Sequence, residues 1–367
     1  MKEQVSLTKT NTACLDILKF AAACIVAFVW HYQHFAPTEG SPFANLFVFS
    51  YPNGWVMVEL FFMLSGFGMV LGYANKVMNH EISFTNYMGK RLQKIYPLFF
   101  LTLVLVVVLE FLYKAKMGDT FVYPNFDLYH FFLNLVLCQN GVFVTDWSFN
   151  SPSWCISICF ILYIILFSVF YHSKDIKAAV YKFAGLGVLA SFILGMGWNY
   201  PVLNAQVARG LICFSIGVVL AYFYQNEVRI NTKLIGYFSL MVLMMCYIIF
   251  RNNPVGINNF QMLFILFLSP MIILSTLYVP WINKLFSLRF FRYLGSLSME
   301  IYLFHFIVQC AIRNVDIYYG LGLNYSARKI WVVYVLATLL VSVIYKHLFA
   351  KLNESFFSGI CSKIIRK

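Results

Sequence analysis

Residues 13–35 read ACLDILKFAAACIVAFVWHYQHF. Asp16 and Lys19 are the only formal charges in this run of 23 residues. At about 1.5 Å per residue a helix of this length reaches roughly 34 Å, enough to cross a hydrocarbon core of about 30 Å. A polar stretch of ten residues precedes it. The run has the length of a membrane span, beyond the shorter apolar core of a cleaved leader. The same texture repeats along all 367 residues: 61% are hydrophobic, only 11% are charged, and 39 are Phe. Mean hydropathy is +0.75. A soluble domain is about a quarter charged, and no water-facing surface could cover this much apolar mass. Disordered chains, disulfide-rich secreted scaffolds and ordinary cytosolic enzymes are excluded. The fold class expected is all-α, a polytopic membrane helix bundle. It forms a single domain over residues 1–367 with no separate soluble domain.

Ten spans are expected, at about 13–35, 55–74, 96–113, 154–171, 178–197, 207–224, 234–250, 260–280, 296–313 and 330–349. The stretch Tyr129–Phe143 is apolar but short and holds Asn134, Gln139 and Asn140, which suits an interfacial or re-entrant piece. With a cytoplasmic N-terminus, this count places 20 Lys and Arg on the cytoplasmic side and seven outside. That bias follows the positive-inside rule, and it predicts both termini in the cytoplasm and a plasma-membrane location. The net charge of +13 is spread in twos and threes, without the basic stripe that a nucleic acid requires. The nine cysteines lie mostly within apolar runs and form no CxxC pair, so they read as small packed side chains. No HExxH, P-loop or GxSxG pattern occurs, so neither a metal site nor nucleotide hydrolysis is expected.

Ionisable groups inside spans are costly, so each asks for a reason. His31 lies near the outer end of the first span, and Glu59 lies about one turn into the second. Consecutive antiparallel helices bring the two to one depth, where a carboxylate could orient the imidazole as a base. The plainer alternative is an ion pair that fixes helix register. Lys19 and Glu300 share the inner third of their spans and could pair. His305 falls near mid-membrane, a position that suits helix packing or the lining of a substrate path. Arg91 and Lys94, three apart on one helix face just before Tyr96-Pro97, could hold phosphates or simply anchor the topology.

Four stretches together carry a likeness. They are Leu15-Asp16-Ile17-Leu18-Lys19 with His31 beyond it, Gly54-Trp55 through Gly66-Phe67, Arg91-Leu92-Gln93-Lys94-Ile95-Tyr96-Pro97, and Leu294-Gly295 through His305. In this order they resemble the motifs of acyltransferase family 3, integral membrane O-acyltransferases that modify surface glycans. The resemblance implies acyl transfer from a CoA thioester, most often acetyl-CoA, to a hydroxyl of a glycan or lipid-linked sugar. Acyl-CoA would be a co-substrate, with no permanently bound cofactor. It implies His31 as the essential histidine and Arg91 and Lys94, with Lys19, as acyl-CoA-binding residues. Glu59 is the candidate orienter of His31, and His305 and Glu300 are candidates for the substrate path. His31 acts as general base or, alternatively, as a covalent acyl carrier.

Three departures stand out. Eleven residues separate Lys19 from His31 where the family has ten. Either the helix carries a π-bulge, or Lys19 is not the true counterpart. The family's RxxR is RxxK here, and its acidic pair is missing from Trp154-Cys155-Ile156-Ser157-Ile158-Cys159-Phe160-Ile161-Leu162-Tyr163. The alternative function for such a chain is a multi-span carrier or exporter of lipids or glycans, with the same polar groups lining a path.

Overall fold

The computed structural model describes residues 11–143, 146–226, 231–252, 257–351 and residue 355. Among them there are helices and connecting turns but no strand. In chain order the helices are α1 (Thr12–Phe35), α2 (Ser50–Met78), α3 (Phe84–Met117), α4 (Leu128–Leu135), α5 (Ser151–Tyr171), α6 (Ile176–Gly195) and α7 (Ala205–Gln225). They continue with α8 (Thr232–Asn252), α9 (Phe260–Tyr278), α10 (Pro280–Phe286), α11 (Arg289–Ser296), α12 (Ser298–Tyr319) and α13 (Arg328–Phe349).

Eight of these helices are long and apolar enough to cross a membrane, and α11 with α12, which meet at a 46° bend, make a ninth. The seventh expected span is helical, but its apolar stretch, Thr232–Ile248, is shorter than the others. The expected interfacial stretch Tyr129–Phe143 yields only the short helix α4, after which the chain turns back toward α5. The chain is thus a polytopic all-α membrane bundle. Its outer surface is apolar, with residues such as Phe111, Phe192 and Leu336 exposed. Polar groups such as Glu59, His305 and Gln309 are fully buried inside the bundle, the reverse of a soluble globule.

Local signals set the helix boundaries. Asp127, Asp175 and Asn204 each accept a backbone N–H from the first turn of α4, α6 and α7, and Ser83 does the same for α3. α2 and α7 pack closely. A Cβ on Gly217 would lie 2.0 Å from the Met63 carbonyl oxygen, and one on Gly66 would lie 2.3 Å from that of Phe214. Only glycine lets the two backbones approach this far, the usual way for helices to pack where lipid removes the hydrophobic drive between them. One buried apolar cluster runs from Cys14 in α1 to Tyr345 in α13.

Candidate active site

The first span is not a uniform helix. It is α-helical over Asp16–Cys24, π-helical over Ile25–Trp30 and 3₁₀-helical over His31–Phe35. The helix thus carries a π segment, which accommodates the extra residue after Lys19. Six steps at about 100° and six at roughly 80° amount to three whole turns, which returns Lys19 and His31 to one face. The irregular backbone frees carbonyls that an apolar interior cannot solvate. Tyr334 Oη donates to the Ala27 carbonyl at 2.8 Å, and Trp331 Nε1 donates to that of Phe28 at 2.7 Å. Gln309 Nε2 donates to the His31 carbonyl, also at 2.7 Å. Side chains of α12 and α13 thus satisfy the segment that aims His31.

The 3₁₀ turn has a second consequence. Three residues per turn eclipse positions i and i+3, so the rings of His31 and His34 stack, with centroids 4.8 Å apart. They face His305 and Gln309, one turn apart on α12 and both fully buried. His31 Nδ1 lies 2.7 Å from His305 Nε2. Those two rings are parallel within 5° at a centroid separation of 4.9 Å, which fits a bond lying near both ring planes better than stacking. His305 Nδ1 is 2.7 Å from the Tyr302 carbonyl oxygen. His34 Nδ1 lies 3.2 Å from Gln309 Oε1, and its Nε2 lies 3.4 Å from the Tyr123 hydroxyl. The segment before α5 closes over the same turn of α12. Asn150 Nδ2 donates to the Leu303 carbonyl at 3.2 Å, and Tyr302 Oη donates to that of Pro152 at 2.6 Å.

Glu59 does not reach His31, which corrects the pairing expected from depth alone. It faces α7 and α9 instead. Arg209 Nη2 lies 2.6 Å and its Nε 2.7 Å from Glu59 Oε1, and Gln261 Nε2 donates to the same oxygen at 3.1 Å. Cys213 Sγ lies 3.4 Å from the other carboxylate oxygen. The guanidinium sits over the rings of Trp55 and Trp154, 5.0 and 5.5 Å from their centroids. A fully buried carboxylate needs a full positive charge and several donors, and a neutral imidazole supplies neither. Matching depth could not reveal which face of α2 carries Glu59.

A second polar cluster lies toward the other end of α1, about 18 Å from His31 by helical rise. Arg91 donates to the Tyr73 hydroxyl, lies over its ring, and has its Nε buried without a partner. Lys94 is exposed, with Arg91, Lys19, Asp16 and Glu300 as electrostatic neighbours. The expected Lys19–Glu300 pair does not form. Lys19 binds Asp16 within its own helix turn at 2.9 Å, and Glu300 lies 3.4 Å from Lys346 of α13. These groups still gather in one place, because α11 seats against α1: a Cβ on Gly295 would lie 2.5 Å from the Asp16 backbone. His305, expected as packing or lining, is bonded directly to His31. Tyr123, His34, Arg209 and Gln309 were not singled out from sequence. The spacings His31-x-x-His34 and His305-x-x-x-Gln309 were the available signal. Among the described residues, no group of three or more His, Cys, Asp or Glu is disposed to hold a metal ion.

Fold and site together define a polytopic membrane protein with a hydrogen-bonded histidine pair inside the bundle and a basic cluster toward its other end. Residues 12–347 match the model of acyltransferase family 3, described as an acyltransferase domain, and the chain belongs to this family. It is also similar to a protein of Acidianus two-tailed virus named "Putative acetyltransferase ORF330". The two are 23% identical over 288 residues, which cover 75% of this chain and 79% of the viral one. No solved structure matches significantly.

Proposed function

We propose that the chain is a plasma-membrane O-acyltransferase that moves an acetyl or other acyl group from acyl-CoA to a hydroxyl of a glycan or lipid-linked sugar, with α8 as a tenth, shorter span that brings both termini to the cytoplasmic side. The observation that carries this reading is the His31–His305 contact at 2.7 Å inside an acyltransferase-family bundle. His31 takes the proton of the acceptor hydroxyl as that oxygen attacks the thioester carbonyl. Collapse of the tetrahedral intermediate breaks the C–S bond, and His31 returns the proton to the departing thiolate. Arg91 and Lys94, with Lys19 beside them, hold the CoA phosphates. A guanidinium with a buried, unpartnered Nε and an exposed ammonium supply the charge-assisted donors that phosphate needs. The CoA arm then runs along α1 toward His31. Glu300 and Lys346 border the donor end, while Glu59 holds the wall of the acceptor end through Arg209.

The test is turnover of acetyl-CoA, as hydrolysis or transfer, by the purified full chain in detergent. His31→Ala is expected to lower the rate by about 10²–10⁴-fold while the protein remains folded. Wild-type protein that never consumes acetyl-CoA, or a His31→Ala variant as active as wild type, would overturn the reading. A carrier of lipids or glycans would show transport without thioester cleavage.

A further inference from the structure

The proton positions in the site follow from two backbone carbonyls. A carbonyl oxygen only accepts, so the 2.7 Å contact with Tyr302 places a proton on His305 Nδ1. A neutral His305 then presents Nε2 as a lone pair, and the 2.7 Å contact with His31 requires His31 Nδ1 to donate. The opposite arrangement would set a lone pair of His305 against a carbonyl oxygen. His31 Nε2 is therefore left unprotonated. The neighbouring pair is locked in the same way. Gln309 Nε2 is committed to the His31 carbonyl, so Gln309 Oε1 accepts from His34 Nδ1. Among the described residues no carboxylate is bonded to these histidines, and Glu59 is held by Arg209.

We propose that His305 is the positioning residue of the reaction: it fixes the tautomer and ring orientation of His31 so that His31 Nε2 is the atom that exchanges the proton. The inference rests on the acyl-transfer reading above. The acceptor O–H bond breaks and its proton moves to His31 Nε2, while the acceptor oxygen forms the new C–O bond. The imidazolium so formed donates more strongly through Nδ1 to His305 Nε2, a charge-assisted bond that replaces the usual carboxylate. When the C–S bond breaks, the proton leaves His31 Nε2 for the thiolate sulfur. His305 exchanges no proton with substrate.

Two substitutions of like chemistry and different reach test this. The amide oxygen of Gln extends to about where imidazole Nε2 lies and can accept from His31 Nδ1, whereas Asn stops near Nδ1. The assay is acetyl-CoA hydrolysis by the full chain in detergent, with a thermal unfolding midpoint for each variant. His305→Gln is expected to keep kcat within about tenfold of wild type, and His305→Asn to lose at least roughly 100-fold. KM for acetyl-CoA should be unchanged in both, because the phosphates bind toward the far end of α1. If His305→Asn fails to fold, His305→Met, which fills the space without an acceptor, takes its place with the same expected loss. Equal kcat for the Gln and acceptor-free variants at equal stability would overturn the positioning role and leave a packing one. Absence of acetyl-CoA turnover in the wild-type chain would overturn the acyl-transfer reading itself, a separate result.

Discussion

Glu59→Gln is the most direct probe of how the bundle divides structure from chemistry. Glu59 is fully buried, and the side chain of Arg209 is 13% exposed between two tryptophans. Neutralising one member of a buried pair strands the other charge, at a cost of about 3–5 kcal/mol when no partner remains. Gln preserves a hydrogen-bonding oxygen, and the tryptophan faces and the Gln206 side-chain oxygen, at 2.8 Å, still hold the guanidinium. The expected loss is therefore somewhat below that range, about 2–3 kcal/mol, read as a fall of several degrees in unfolding midpoint. The double variant Glu59→Leu/Arg209→Met removes both charges and should recover most of that loss. The assay pairs thermal unfolding in detergent with acetyl-CoA turnover at a temperature where every variant is folded. Turnover per folded molecule should stay within about threefold of wild type, since Glu59 contacts neither histidine. A Glu59→Gln variant of unchanged stability and severely reduced turnover would refute this reasoning and return Glu59 to the acid–base machinery.

Two further outcomes follow from particular contacts. Replacing Arg91 and Lys94 together with Ala should raise the apparent KM for acetyl-CoA by at least roughly tenfold, since the two charge-assisted phosphate contacts proposed for them would be lost; an unchanged KM would leave them as topology anchors. Ser153 is completely buried with its hydroxyl unpartnered, although it stands at the N-cap of the α-helical part of α5, Trp154–Tyr171, after the 3₁₀ turn Ser151–Ser153. Ser153→Ala should therefore stabilise the chain by about 1 kcal/mol in thermal unfolding, and a loss of stability would reveal a partner for that hydroxyl.

The architecture was largely legible because lipid imposes a long apolar run on every span, and such runs are visible in composition alone. The site was legible only in part. Depth along a span follows from residue counting, so His31, Lys19, Arg91, Lys94 and Glu300 could be assigned levels. Which face a residue presents depends on helical phase, and here phase failed. Glu59 turns toward α7, where Gly66 and Gly217 draw the two backbones together, and its partner Arg209 lies 150 residues further along the chain, beyond the reach of local periodicity. His305 sits on a regular α-helix, yet its contact with His31 depends on a π segment and a 3₁₀ turn in α1. Single-sequence periodicity assumes about 3.6 residues per turn throughout and cannot anticipate either one. The eleven-residue interval between Lys19 and His31 was the one numerical sign of the irregularity.

That interval supports a final prediction about phase. If the π segment serves to absorb one residue, deleting Ala27 should let Ile25–Trp30 revert to an ordinary α-helix. Eleven α steps from Lys19 to His31 then come within about 20° of whole turns, so His31 stays turned toward His305. Inserting one Ala at the same place adds a step of about 100° and swings His31 away from α12. The deletion also removes one of the two carbonyls bonded by Tyr334 and Trp331, and re-pairing them should cost about 0.6 kcal/mol for each bond lost. The deletion variant is thus expected to unfold slightly earlier yet keep at least about a tenth of wild-type turnover, whereas the insertion should fall to about 1% or less. Both follow from acetyl-CoA hydrolysis by matched amounts of folded protein. A deletion variant that is well folded but inactive would mean that phase is not enough. The carbonyls freed by the π turn, and the α13 side chains that hold them, would then be part of what keeps His31 in place.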